Sequence, residues 1–175
     1  MIRICGVVRE SIVDGPGLRF VLFTQGCPHH CPGCHNPESH SMDGGYDVTA
    51  EKVLEEFRKN PLLKGITLSG GDPIVQAGEL VEVCRGVHAL GKDVMTYTGY
   101  TYEELLEMQK TDDGIRQLLE ETDTLVDGRF VLAQRDLTLI YKGSRNQRVI
   151  DLNRTRAEGH IVLDAVEKEN LRPEK

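Results

Sequence analysis

Within eight residues this chain places three cysteines, spaced Cys27-x3-Cys31-x2-Cys34, directly after the apolar run Phe20-Val21-Leu22-Phe23. The loop around them, from Gly26 to Pro37, is too rich in Pro, Gly and His to bury an apolar core of its own. Packing therefore does not explain its composition, and a bound metal centre is the first candidate. No secretory signal segment follows Met1, and no apolar run approaches the roughly 20 residues of a membrane span. The expectation is a cytoplasmic chain with reduced thiols and no membrane association. Five cysteines in that setting read as metal or redox chemistry rather than a disulfide framework.

The remaining composition narrows the partners. A net charge of -7 argues against broad nucleic-acid or anionic-membrane binding, and the absence of Trp removes the best base-stacking residue. A length of 175 residues suits one domain, with a core from about residue 4 to 152 and a charged, loose tail from about 164 to 175.

Apolar, β-branched runs predict strands over Ile2–Val8, Leu18–Thr24, Lys64–Leu68, Lys92–Thr98 and Thr124–Asp127. Helical spacing predicts helices after Thr49 (Val53, Leu54, Phe57), from Gln76 to Leu90, and from Gly114 to Glu121. Thr101 and Glu104 form a capping-box pattern that opens a further helix. Beyond Gly128 the rhythm changes, and Leu137–Tyr141 and Val149–Leu152 read as strands without an intervening helix. Strands alternating with helices imply a mostly parallel sheet built from βαβ units. A complete eight-unit barrel needs about 250 residues, so the expected fold is a partial, laterally open (β/α) barrel of the α/β class.

Four chemistries can use the cysteine loop. They are zinc held by three Cys and a His, haem attachment at Cys31-x-x-Cys34-His35, a dithiol at Cys31 and Cys34, and an iron–sulfur cluster with three thiolates. Haem attachment and the dithiol both leave Cys27 unexplained, and a zinc knuckle needs no α/β scaffold behind it. The three-thiolate cluster uses every cysteine and leaves one iron open to a ligand. Ser69-Gly70-Gly71-Asp72-Pro73 supplies a place for that ligand. It ends a buried strand on the same sheet edge, and paired glycines let backbone approach a ligand closely.

Cys27-x3-Cys31-x2-Cys34 with a Gly-Gly-Asp-Pro turn resembles the radical S-adenosylmethionine enzymes. Asp14-Gly15-Pro16-Gly17-x-Arg19 narrows the resemblance to their glycyl-radical-enzyme activases. Tyr97-Thr98-Gly99-Tyr100, Asp127-Gly128 and Gly143-Ser144-x-Asn146-Gln147-Arg148 narrow it further, to activases of the anaerobic ribonucleoside-triphosphate reductase. The resemblance implies a [4Fe-4S] cluster on Cys27, Cys31 and Cys34, with S-adenosylmethionine chelated at the open iron. It implies reductive cleavage to a 5′-deoxyadenosyl radical that takes a hydrogen from a glycine on a loop of the reductase, with reduced flavodoxin as electron donor. The implied cofactor contacts are Ser69, Gly70, Gly71, Asp72, His35, Asn36, Thr98 and Asp127. Asp14, Gly15 and Arg19 are expected to hold the partner's loop. Many radical enzymes carry an aromatic before the third cysteine, where this chain has Gly33. Two alternatives stand beside this reading: an activase of the pyruvate formate-lyase type, and a non-catalytic zinc-binding interaction module.

Other polar and sulfur residues have plainer readings. Cys5 and Cys84 read as small core residues, and His29 and His30 as solvated loop residues. Nothing in the sequence partners His88 or His160. Asp127 and the Ser144–Arg148 group fit turn or capping hydrogen bonds as well as ligand contacts.

Overall fold

A computed structural model describes residues 1–171, and the last four residues of the expected loose tail lie outside them. The strands are β1 (Ile2–Ser11), β2 (Arg19–Thr24), β3 (Tyr46–Val48), β4 (Gly65–Gly70), β5 (Asp93–Tyr97), β6 (Thr124–Asp127) and β7 (Arg148–Asp151). They form one sheet in the order β3-β1-β2-β4-β5-β6-β7. The inner four, β2-β4-β5-β6, run parallel, while β1 and β3 on one flank and β7 on the other pair antiparallel. The end strands β3 and β7 do not pair with each other, so the sheet stays open, as expected of a partial barrel.

Parallel strands need crossovers, and helices supply them. β2 leads through β3 and α1 (Ala50–Arg58) to β4, and β4 leads through α2 (Ala77–Ala89) to β5. β5 leads through α3 (Tyr102–Met108) and α4 (Asp113–Glu121) to β6. Each helix buries the stripe that its sequence spacing marks: Val53, Leu54 and Phe57 on α1; Leu80, Val81, Cys84 and Val87 on α2; Ile115, Leu118 and Leu119 on α4. They pack against Phe20, Leu22, Ile66, Leu68 and Val94, so the inner strands are covered where they read as continuous apolar runs. The helix starts follow the capping chemistry. Thr49 Oγ1 accepts from Lys52 N at 3.0 Å, and the Thr101–Glu104 capping box is complete.

Two sequence expectations fail locally, and one helix was not anticipated. Leu137–Tyr141 is not a strand, because Asp136 captures Thr138 N at 2.9 Å and Thr138 Oγ1 at 2.5 Å and bends the chain into a turn. The chain after β7 continues into α5 (Leu152–Glu158), capped by Asp151 Oδ1 accepting from Arg154 N at 3.0 Å. Residues 167–170 of the supposed loose tail form α6 (Glu167–Asn170). Lys142 and Glu167 pair at 3.1 Å with both side chains buried, and the Asn170 side chain bridges Ile140 N and O. Charge alone therefore misreads this segment: its acidic group has a buried cation to meet. No helix among the described residues is long and apolar enough to cross a membrane.

His88 on α2 acquires partners that sequence did not reveal. Its ring nitrogens lie 2.8 Å from Glu121 and 2.8 Å from Asp123. Burial is the largest influence and pushes its pKa down, but the two carboxylates together outweigh it and leave the pKa raised. A raised folded-state pKa adds stability below the unfolded value of about 6.5, and that stability is lost as pH rises through the folded value. Asp123 is lowered overall: burial pushes it up, but His88, Asn153 and the Val94 amide pull it down further. Its contribution is therefore lost as pH falls through that lowered value. His88→Ala should cost more at about pH 6 than at about pH 9, by no more than about 1 kcal/mol after solvent screening. Thermal melts of both proteins across pH check this, and a melting difference that grows with pH would contradict it.

Candidate functional site

The four parallel strands end on one edge of the sheet, and each delivers one piece of a common site. β2 runs into the cysteine loop, β4 into Gly71-Asp72-Pro73, β5 into Thr98-Gly99-Tyr100 and β6 into Gly128. Thr24 at the end of β2 faces Gly70 at the end of β4. Such an edge, outside the carboxyl ends of parallel strands, is where α/β sheets bind ligands.

Backbone hydrogen bonds tie the cysteine loop to the Gly-Gly-Asp-Pro turn. Gly71 N donates to Thr24 O at 2.8 Å, and Asp72 N donates to Gly26 O at 2.8 Å. The loop closes on itself through Gly26 N to Ser39 O at 2.7 Å and Cys27 N to His40 O at 3.1 Å. The approach leaves no room for side chains in the turn. A Cβ on Gly70, whose φ is +100°, would overlap the Thr24 backbone, and one on Gly71 would overlap Gly26 O.

Asp72 is the junction between the motifs. It is fully buried, and Oδ2 accepts from His29 Nε2 at 2.7 Å, Thr98 Oγ1 at 2.9 Å and Gly99 N at 2.9 Å. Its other oxygen caps the following turn through Ile74 N at 3.0 Å. One carboxylate thus joins the C-x3-C segment, the β4 turn and the end of β5. His29 is accordingly not the solvated residue expected: its side chain is 5% exposed, and its ring meets Tyr100 edge-on at 4.5 Å. Arg129 lies over the outer face of that tyrosine, 5.8 Å from the ring centre.

Around this junction lies a cavity of about 320 Å³. Cys27, Cys31 and Cys34 line it together with Ser69, Gly70, Gly71, His35, Asn36, Thr98 and Asp14. Asp72 and Asp127 stand behind that wall. Asp127 is buried and accepts from Tyr102 N at 2.8 Å and from Arg148 Nε at 3.0 Å. Gly15 and Arg19 are also set back. Arg19 is fully buried, donating to Thr67 Oγ1 at 2.8 Å, Ile66 O at 2.8 Å, Pro16 O at 3.1 Å and Asp93 Oδ1 at 2.5 Å. It braces the Asp14–Gly17 loop from below, and Thr67 Oγ1 adds a bond to Asp14 O at 2.8 Å.

Phe130 joins the cavity wall from a loop without sequence periodicity. Its ring meets His35 at 5.4 Å between centres. Gly33, with φ +76°, leaves the space that Phe130 and Leu132 occupy: a Cβ there would come within 2.8 Å of Leu132 Cδ1 and 3.4 Å of Phe130 Cε1. Gly128, Gly143 and Gln147 also line the cavity. Gln147 Oε1 holds the 143–144 turn through Gly143 N at 2.9 Å and Ser144 N at 3.1 Å.

The residues present fit an iron–sulfur cluster. Cys27, Cys31 and Cys34 line one cavity together, and Asn36 N donates to Cys34 Sγ at 3.5 Å. His40 lines the same cavity, and its Nε2 is buried without a protein partner. Burial pushes the Cys27 thiol up, against backbone amides at His29 and His30 that pull it down. Among the described residues, no three His, Cys, Asp or Glu side chains form a group that could hold a single metal ion. Cys84 is an ordinary core thiol, buried and pushed up by desolvation, whereas Cys5 is half-buried with Sγ 3.9 Å from Thr24 O.

The comparisons with known proteins agree in kind. A family model described as a 4Fe-4S single cluster domain matches residues 13–150. The chain is 37% identical over 147 residues to the anaerobic ribonucleoside-triphosphate reductase-activating protein of Salmonella typhimurium, covering 79% of this chain and 92% of that one. It is 37% identical over 149 residues to the protein of that name in Escherichia coli K12, again covering 79% and 92%. A pyruvate formate-lyase-activating enzyme of Clostridium pasteurianum is 37% identical over 115 residues, covering 60% of this chain and 48% of that one. Among solved structures, QueE from Escherichia coli aligns with a TM-score of 0.45 at 16% identity, covering 57% of this chain and 53% of that one, a likeness too distant to bear on function.

Proposed function

Because the chain belongs to the anaerobic ribonucleoside-triphosphate reductase-activating proteins, with a 4Fe-4S single cluster domain, we propose that Cys27, Cys31 and Cys34 hold that cluster. The protein is a radical S-adenosylmethionine enzyme that activates a glycyl-radical reductase. When bound, the cluster and S-adenosylmethionine supply a 5′-deoxyadenosyl radical that takes a hydrogen atom from a backbone glycine of the reductase. The single observation that carries the site assignment is that all three thiols and the Ser69–Gly71 backbone line one cavity at the ends of parallel strands.

The chain's own residues bind and orient. Cys27, Cys31 and Cys34 would hold the cluster through three thiolates, leaving an iron free for the amino and carboxylate groups of S-adenosylmethionine. Backbone oxygens of Ser69 to Gly71 would accept from the methionine ammonium, and the absence of side chains on Gly70 and Gly71 lets this turn close against Thr24 and Gly26 beside the cavity. Asp72 and Asp127 act as positioning residues, since protein donors already occupy their carboxylates. His35, Asn36 and Thr98 complete the cofactor's surroundings. Asp14 faces the incoming glycine loop, and Gly15 and Arg19 hold its segment in place. Reduced flavodoxin is the electron donor in this reading, and the exposed Pro32-Gly33 stretch beside the thiols gives it an approach. A cytoplasmic setting keeps the thiols reduced for cluster loading.

Phe130 supplies the aromatic face that position 33 lacks. Phe130→Ala should leave iron content unchanged and weaken S-adenosylmethionine binding about tenfold or more, the loss of one base-stacking contact. Anaerobic equilibrium binding to the iron-loaded protein measures this, and an unchanged affinity would remove Phe130 from the adenine side.

The decisive experiment combines reduced protein, S-adenosylmethionine and the reductase, then looks for a glycyl radical by electron paramagnetic resonance. A signal is expected with the reductase. A signal with a pyruvate formate-lyase and none with the reductase would move the protein to the second activase class. Colourless protein holding zinc under iron-replete, reducing conditions would sink both.

A further inference from the structure

We infer that His40 is an additional positioning residue of this site, its Nε2–H donating a hydrogen bond to an anionic acceptor bound in the cavity. This rests on the cluster assignment proposed above. Among the described residues, the one buried side-chain nitrogen or oxygen left without a hydrogen-bond partner is His40 Nε2. Burying such a group unpaired forfeits its hydration with nothing in return, so an orphan of this kind marks a missing partner. The partner is not another part of the described chain: none of the cavity's own thiols accepts from it.

The placement of the residue identifies the partner's chemistry. His40 lines the cavity alongside Cys27, Cys31 and Cys34. Its main chain is anchored on both sides, with His40 O accepting from Cys27 N at 3.1 Å and His40 N donating to Pro37 O at 3.2 Å. The His30 ring stands edge-on at 5.2 Å and 89°. The ring is thus held on the cavity wall near the first cysteine, and its Nε2 is buried there without a partner in the described chain. Two acceptors there share the required negative charge: a sulfur of the cluster and the carboxylate of S-adenosylmethionine. A hydrogen bond to cluster sulfur stabilises the more negative, reduced state and raises the potential. A bond to the carboxylate strengthens cofactor binding and leaves the potential of the cofactor-free cluster unchanged.

The test uses the full chain, loaded anaerobically with iron and sulfide, as wild type, His40→Phe and His40→Gln. Phenylalanine keeps the ring and removes the donor; glutamine carries an amide N–H to nearly the same place as Nε2. Three quantities are read: iron per chain, the midpoint potential without cofactor, and S-adenosylmethionine affinity at equal iron loading. His40→Phe is expected to load iron like wild type. It should then show either a midpoint shifted negative by about a tenfold change in the reduction equilibrium, near 59 mV for one electron, or an affinity about tenfold weaker at unchanged potential. The first assigns the acceptor to the cluster and the second to the cofactor, and His40→Gln should recover most of either. Should His40→Phe fail to load iron, His40→Ala is measured against the same two criteria. Wild-type potential and affinity in the loaded donor-free variant overturn the inference. Failure of the wild type itself to load iron overturns the cluster assignment instead.

Discussion

Cys31→Ala should reduce bound iron from about four per chain to a small fraction and abolish the glycyl-radical signal, while leaving the fold standing. The separation follows from where the residue sits. Cys31 is half-buried in a loop outside the apolar core, which is built from β1, β2, β4, β5 and β6 packed on α1, α2 and α4. The melting temperature of the metal-free variant should therefore match that of the metal-free wild type within a degree or two. Iron analysis, paramagnetic resonance and a thermal melt decide it together. Retained iron with three thiols reduced to two would show that the cluster has a ligand other than those assigned.

Asp72→Ala should do the converse and damage both fold and site. The substitution strips the acceptor from His29 Nε2, Thr98 Oγ1, Gly99 N and Ile74 N at once. Each buried donor left unpaired costs on the order of 1–3 kcal/mol, and a shared network relaxes in part, so a net loss of about 3–4 kcal/mol is expected. For a chain of this size that corresponds to roughly 10 °C in melting temperature. Iron loading should fall as well, because His29 lies between Cys27 and Cys31 and its tether to the β4 turn is lost. Asp72→Asn should be intermediate, since an amide keeps one acceptor oxygen but sets an N–H against donors. A melting point within a degree of wild type and full iron content in Asp72→Ala would show that the junction is dispensable.

These two residues mark different kinds of legibility. Cys31 was readable because thiol spacing is local: three cysteines on one short loop need no knowledge of the fold to be read together. Asp72 was readable as part of a Gly-Gly-Asp-Pro turn, but not as a junction, because its partners come from the cysteine loop and from β5. Sequence placed the carboxylate among the cofactor contacts, while the structure gives its oxygens to His29, Thr98, Gly99 and Ile74. His29 was misread for the same reason. A histidine in a Pro- and Cys-rich loop looks solvated until its buried partner is known.

The helices and inner strands were legible because burial imposes a period. Val53, Leu54 and Phe57 declare a helix face, and Phe20 to Phe23 declare a strand covered on both sides. The segment after Gly128 carries no such period. Its conformation is set by single polar contacts, such as Asp136 with Thr138 and Lys142 with Glu167, whose partners are invisible to patterning. Phe130 reaches the cavity from that segment with no sequence signal of its own, whereas Gln147 was marked only by a short motif and not by any period.

By itself, then, the sequence determined the thiol set, the glycine turn and the α/β rhythm, each of which is encoded in neighbouring residues. Tertiary structure alone decided that the ends of β5 and β6 join the cysteine loop and the β4 turn at one edge, that Asp72 joins three of these strand ends, that Phe130 fills the space above Gly33, and that His40, on the cavity wall, keeps a buried nitrogen without a partner. The physical reason is common to all four. Each depends on contacts between groups far apart in the chain, which exist only once burial of the apolar faces has fixed the sheet.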